Sequence, residues 1–207
     1  MFRPWAPETP VVEEIHATSC TVSYQPPAFD GDAPVTGYIL ERLTAGTESQ
    51  WTRVNETAVP ELQYVIENLT PGTEYQFRVA AVNPNLEGKS SGMSDVILTG
   101  EKPDKPDQLE VVEVIGTSVR LQWIAPVSDG GAHITEYRIM YRTSGATQDT
   151  FIYTDAITGS LISYTVRNSL QANTQYQFAV AAVNRIGSGP WSDVTDDVKT
   201  FAGNFHI

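Results

Sequence analysis

The residues able to do chemistry are few and scattered. There are three histidines, His16, His133 and His206, and a single cysteine, Cys20. A zinc site draws on clustered Cys and His ligands. Here the histidines fall in separate turns or the tail, with no cysteine cluster beside them. A nucleophilic triad needs Ser or Cys, His and a carboxylate converging in one pocket. Cys20 sits in an alternating apolar run and reads as a small core residue. The segment Gly187-Ser188-Gly189-Pro190 lacks the lysine and helix of a phosphate loop and reads as a hairpin turn. Asp30-Gly31-Asp32 and Asp129-Gly130-Gly131 carry oxygens, but calcium takes about six or more at defined spacing. They read as turns in which Asp bonds its own backbone and Gly takes a positive φ. The cluster Asp193, Asp196 and Asp197 reads as a solvated edge. These residues predict no catalytic group, no cofactor and no metal, and hence no enzyme.

Two sequons remain, at Asn55 and Asn68. They are possible glycosylation sites only in the secretory pathway. Asn68-Leu69-Thr70-Pro71-Gly72 also reads as a simple turn, and its proline disfavours modification.

Composition narrows the partners. The formal net charge is -12, which repels phosphate backbones and anionic lipid. Nucleic acid is therefore excluded as an expected partner. Apolar runs such as Val79 to Val82 are far too short to span a bilayer, so no membrane insertion is expected. The lone cysteine rules out an internal disulfide and fits a reducing compartment. Met1-Phe2-Arg3-Pro4-Trp5 reads as a start added to a fragment of a longer chain.

The elements that position these residues come from an internal repeat. Gly72-Thr73-Glu74-Tyr75-Gln76-Phe77-Arg78-Val79-Ala80-Ala81-Val82-Asn83 recurs as Asn173-Thr174-Gln175-Tyr176-Gln177-Phe178-Ala179-Val180-Ala181-Ala182-Val183-Asn184, an offset of 101. Pro27 to Gly31 recurs at Pro126 to Gly130 with an offset of 99. A period this long is a whole domain. The expected organisation is residues 1–100 as one domain, 101–106 as a short proline-bearing linker, and 107–207 as a second domain.

Within each copy, apolar and polar residues alternate with period two. Cys20, Val22 and Tyr24 face one way while Thr21 and Ser23 face the other; Val119, Leu121 and Trp123 repeat this. Strands are expected over Val35 to Arg42 and Ile134 to Arg142, and no stretch has a helical period. The fold class is all-β, with one sandwich core per copy.

Both copies resemble the fibronectin type III family. The resemblance rests on Trp123 with Pro126, on Tyr24 with Pro26 and Pro27, on Leu69 with Tyr75, and on Leu170 with Tyr176. It also rests on Ala-Val-Asn followed by a glycine-bearing loop and a serine, from Asn83 to Ser94 and from Asn184 to Ser192. The resemblance implies two tandem seven-stranded immunoglobulin-like sandwiches in an elongated array, with Tyr75 and Tyr176 as structural tyrosine corners. Tyr24 stands where the family usually has tryptophan, and its hydroxyl needs a partner or an exit to water. Trp191-Ser192 is all that remains of a receptor-type Trp-Ser-x-Trp-Ser motif, and Trp191 is expected to pack on neighbouring arginines.

The run Pro26 to Arg42, together with Trp51, is similar to the intracellular muscle versions of the repeat, as in titin, twitchin, myosin-binding protein C and myomesin. The second copy has Phe151-Ile152-Tyr153 where those usually place a tryptophan. Family topology implies an interdomain junction at Asp129, Gly130, Gly131, His133, Arg185 and Ile186. The expected function is a non-catalytic structural spacer and protein-docking module of a larger sarcomeric or cytoskeletal protein. It would be cytoplasmic, monomeric as a fragment, and bound to other proteins such as filament partners. The alternative is an extracellular ectodomain of an adhesion protein or receptor, which the sequons favour.

Overall fold

The computed structural model describes residues 2–46, 50–145, 152–153, 156–167 and 169–203. His206 and Phe151 lie outside them. The chain divides into two compact units, Met1–Gly100 and Glu101–Ile207.

The first unit has strands β1 (Val11–Glu13), β2 (Cys20–Ser23), β3 (Gly37–Thr44), β4 (Thr52–Arg53), β5 (Gln63–Ile66), β6 (Glu74–Val82), β7 (Glu87–Ser90) and β8 (Ile97–Leu98). They form two antiparallel sheets. One has the order β1-β2-β5, the other β4-β3-β6-β7 with β8 also on β6. The second unit has β9 (Asp107–Ile115), β10 (Ser118–Ile124), β11 (Glu136–Thr143), β12 (Ile152–Tyr153), β13 (Ile157–Thr158), β14 (Ser163–Val166), β15 (Gln175–Val183), β16 (Ser188–Trp191) and β17 (Val198–Lys199). Its sheets are β14-β10-β9 and β12-β11-β15-β16, with β13 on β11 and β17 on β15.

Each unit has its own core, built from the inward half of the alternation. Cys20, Val22, Leu40, Phe77 and Val79 are buried in the first. Val119, Leu121, Trp123, Ile139, Phe178 and Val180 are buried in the second. The long central pairs are in matching register, with Tyr38 opposite Ala81 in one and Tyr137 opposite Ala182 in the other. Both central strands begin two residues later than the apolar pattern predicts, at Gly37 and Glu136. Before them, Thr36 and Thr135 each donate a single amide to Val82 and Val183.

The segment expected as a linker, 101–106, is tied into the second unit. Glu101 donates its amide to Gly130, and Asp104 donates to Ser128. Pro103 and Pro106 are buried, as are Pro4 and Pro7 at the matching positions of the first unit. The recurrence of this proline pair at an offset of 99 was the available sequence signal.

Candidate docking surface

Two features of each unit lie beside the apolar core: a loop cluster pinned by one asparagine, and the outward face of the larger sheet.

The loop cluster begins at the Asp-Gly turn. Asp30 Oδ1 accepts the Asp32 amide at 3.0 Å, and Asp129 Oδ1 accepts the Gly131 amide at 2.8 Å. Gly31, Gly130 and Gly131 have φ values of 81°, 75° and 80°, where a side chain is strained. A Cβ on Gly130 would also meet the Glu101 carbonyl oxygen at 2.0 Å. Asn184, at the end of β15, holds this turn in place. Its amide nitrogen donates to the Glu101 and Asp129 carbonyls, both at 2.7 Å. Its oxygen accepts the Ile186 and Gly187 amides at 2.8 and 3.1 Å. Asn83 does the same in the first unit, with Phe2, Asp30, Asn85 and Leu86.

The residues expected at a junction therefore gather at one end of the second unit. Asp129, Gly130 and Gly131 form the turn, and Ile186 lies in the loop that Asn184 caps, next to Arg185. His133 is fully exposed, with Nδ1 3.9 Å from Asp129 Oδ2. The sequence carries no sign that these asparagines pin the loops, although Asn83 and Asn184 close the strongest repeat.

The remaining marked residues have structural partners. Tyr75 accepts the Thr70 amide through its phenol oxygen at 3.0 Å, and Tyr176 accepts that of Gln171 at 2.8 Å. The Tyr24 hydroxyl donates to the Glu61 carbonyl at 2.9 Å. Burial drives the Cys20 thiol up to about 11. Asn55 is buried, its amide nitrogen donating to the Tyr38 and Thr57 carbonyls and its oxygen accepting the Leu40 amide. A glycan on that nitrogen would break this arrangement. Asn68 is exposed, in a left-handed turn with φ 57°. Among the described residues no three potential metal ligands cluster, and no helix is long and apolar enough to cross a membrane.

The outward sheet faces differ between the units. In the first, the Arg78 guanidinium lies 4.3 Å from the Trp51 ring centre and binds Glu41 at 2.7 Å. Arg53 binds Glu87 at 2.6 Å. In the second, the Trp191 ring meets Tyr153, with centres 5.8 Å apart. Tyr153 thus takes the place of the arginines that the sequence predicts beside this ring.

The model of the fibronectin type III domain matches residues 5–97 and again 104–198. The chain belongs to the fibronectin type III family. It is 31% identical over 197 residues to human (Homo sapiens) cardiac-type myosin-binding protein C, covering 94% of this chain and 15% of that protein. It is 30% identical over 184 residues to the striated-muscle M-protein of Gallus gallus, covering 87% of this chain and 12% of the relative. The chain thus spans a small part of the curated relatives it matches. A two-domain fibronectin type III segment from chicken tenascin superposes with a TM-score of 0.54 at 16% identity, covering 94% of this chain and 99% of that one. That likeness concerns the fold alone. This fibronectin type III tandem is a non-catalytic structural module, similar to those of muscle proteins.

Proposed function

We propose that the tandem is a spacer and protein-docking module of a larger protein of the muscle cytoskeleton, working in the cytoplasm at the sarcomere. Its partner would be a myosin-containing filament. The observation that carries this reading is one continuous alignment through both domains to cardiac-type myosin-binding protein C, covering 94% of the chain. The committed amide of Asn55 adds support, because it removes one of the two sequons that favoured an ectodomain.

Two measurements test it. The chain should sediment with purified myosin filaments in a saturable manner; a chain that stays in the supernatant refutes the docking role. An antibody against the chain should label muscle sections in a striated pattern. Labelling confined to cell outlines would refute the location.

A further inference from the structure

We infer that the outward face of the smaller sheet in the first domain is a docking surface for a basic, extended segment of a partner protein. The inference rests on the docking reading above and specifies its chemistry.

The face has the shape of a trough. β1, β2 and β5 lie side by side, with Val11 opposite Ser23 and Gln63, and Glu13 opposite Thr21 and Val65. Their side chains form the outward half of the alternation, since Val12, Val22 and Tyr64 pack on the core. The floor is low because β2 offers only Thr21 and Ser23, and the Thr21 hydroxyl already donates to Glu14 Oε2 at 2.8 Å. Val11 and Val65 stand on opposite walls, 58% and 55% exposed. The walls are two strand spacings apart, about 10 Å, a gap that one apolar side chain laid along the trough fills.

The charge of this face is uncompensated. Residues 4–41 and 54–77 supply the whole sheet and its flanking turns, and they contain no lysine or arginine. Arg42, Arg53, Arg78 and Lys89 lie on β3, β4, β6 and β7 of the larger sheet. Arg53 and Arg78 are bound there to Glu87 and Glu41. Arg3 precedes Pro4, whose carbonyl lies against Gly88 of β7. On the smaller sheet, Glu61 and Glu67 extend the Gln63 and Val65 column by two residues at each end, and both are exposed, as is Glu13. None of these three carboxylates has an ion pair among the described residues. The one imidazole beside the face is His16, exposed between β1 and β2. The second domain is the control, because the same face recurs there with Arg120 for Thr21, Arg167 for Glu67 and Leu161 for Glu61. Arg120 fills the floor and binds Glu113 at 3.3 Å, so that copy is closed.

The carboxylates of the first domain select cations, and the two valines select a segment that also carries an apolar side chain. The complementary segment is extended, with Lys or Arg on either side of an apolar residue. The apolar side chain lies between Val11 and Val65, and the cations reach Glu13, Glu61 and Glu67. Glu61 and Glu67 are six residues apart along one strand, roughly 20 Å. Opposed charges at such a rim steer the encounter and fix its register.

The test is a titration of the isotope-labelled whole chain at about pH 8, where imidazole is neutral, followed by nuclear magnetic resonance. The probe is a short synthetic peptide with lysines flanking a central leucine. One counterpart has glutamates for the lysines, and another has serine for the leucine. The probe should shift the Val11, Thr21, Ser23 and Val65 amides in a saturable manner, while those of Arg120, Gln122 and Thr165 stay still. The glutamate counterpart should move none of them, and the serine counterpart should bind about fivefold more weakly or worse. Val65→Thr with Glu67→Arg gives the first domain the second domain's residues at these positions and should weaken binding about tenfold or more. The proposal is overturned if the four amides do not move, if the second-domain amides move equally, or if the glutamate counterpart binds as well. It is also overturned if the serine counterpart matches the probe, which would leave only the attraction of a chain of net charge -12 for any cation. The wild-type titration decides even if the double variant misfolds. Filament sedimentation separates the two readings. Wild-type and double variant sedimenting alike sinks this face and leaves the docking role standing. A wild-type chain that does not sediment sinks the docking role, and the peptide titration then judges the face alone.

Discussion

Asn83 and Asn184 each use both donors and the acceptor oxygen on backbone groups of two loops and the segment leading into the domain. Cys20 is the opposite kind of buried residue, with nothing to satisfy. Its thiol is pushed up to about 11 by burial, from an ordinary value of 9.0. Above pH 9 the unfolded thiol loses its proton while the folded one keeps it, so stability present at neutral pH is lost as pH rises toward 11. The loss approaches roughly 3 kcal/mol, by about 1.4 kcal/mol for each pH unit separating the two states. The second domain has Val119 at this position. Cys20→Val should leave neutral stability within about 1.5 kcal/mol and flatten the alkaline limb of the first domain. Denaturant unfolding from pH 7 to 11 checks this; an unchanged alkaline slope would contradict it. The position of Cys20 was legible because strand alternation forces it inward. The role of the asparagines was not, because their partners lie as far as 83 residues away in sequence.

At the scale of elements, the last strand of each domain is broken in two. Between β16 and β17 the hydroxyls of Ser192 and Thr195 accept the amides of Val180 and Phe178, both at 3.1 Å. Ser91 and Ser94 do the same for Val79 and Phe77, both at 3.0 Å. Ser192→Ala leaves the buried Val180 amide unpaired, which costs about 1–3 kcal/mol. Hydrogen exchange at Val180 should accelerate markedly, while that at Val79 stays unchanged. Equal exchange in variant and parent would show that another acceptor takes over. The alternating runs of β2, β6, β10 and β15 made the two sandwiches readable. The break was not readable, since a serine facing a backbone amide looks like any polar residue of a strand. The attachment of segment 101–106 to the second unit was hidden for a similar reason. Lys102-Pro103-Asp104-Lys105-Pro106 is charged and proline-bearing, yet Glu101 and Asp104 already bond to the Asp129 turn region.

At the scale of the whole molecule, the two cores share no residue. A substitution in one should therefore leave the unfolding of the other in place. Phe77→Ala removes a fully buried ring at the centre of the first core and should destabilise that domain by about 3–5 kcal/mol. Scanning calorimetry should show one transition moved down and the other unmoved. A single transition shifting as a unit would contradict independent cores. The split last strand has a further consequence for domains carried in tandem. β7 and β16 are the rims of their sheets, where an intact strand would present a continuous row of unpaired amides to a neighbour's equivalent rim. Their register shifts at Ala80/Val82 and Ala181/Val183, together with Pro190, interrupt that row. A rim interrupted in this way is a poorer template for pairing with a neighbouring sheet edge than an unbroken strand would be.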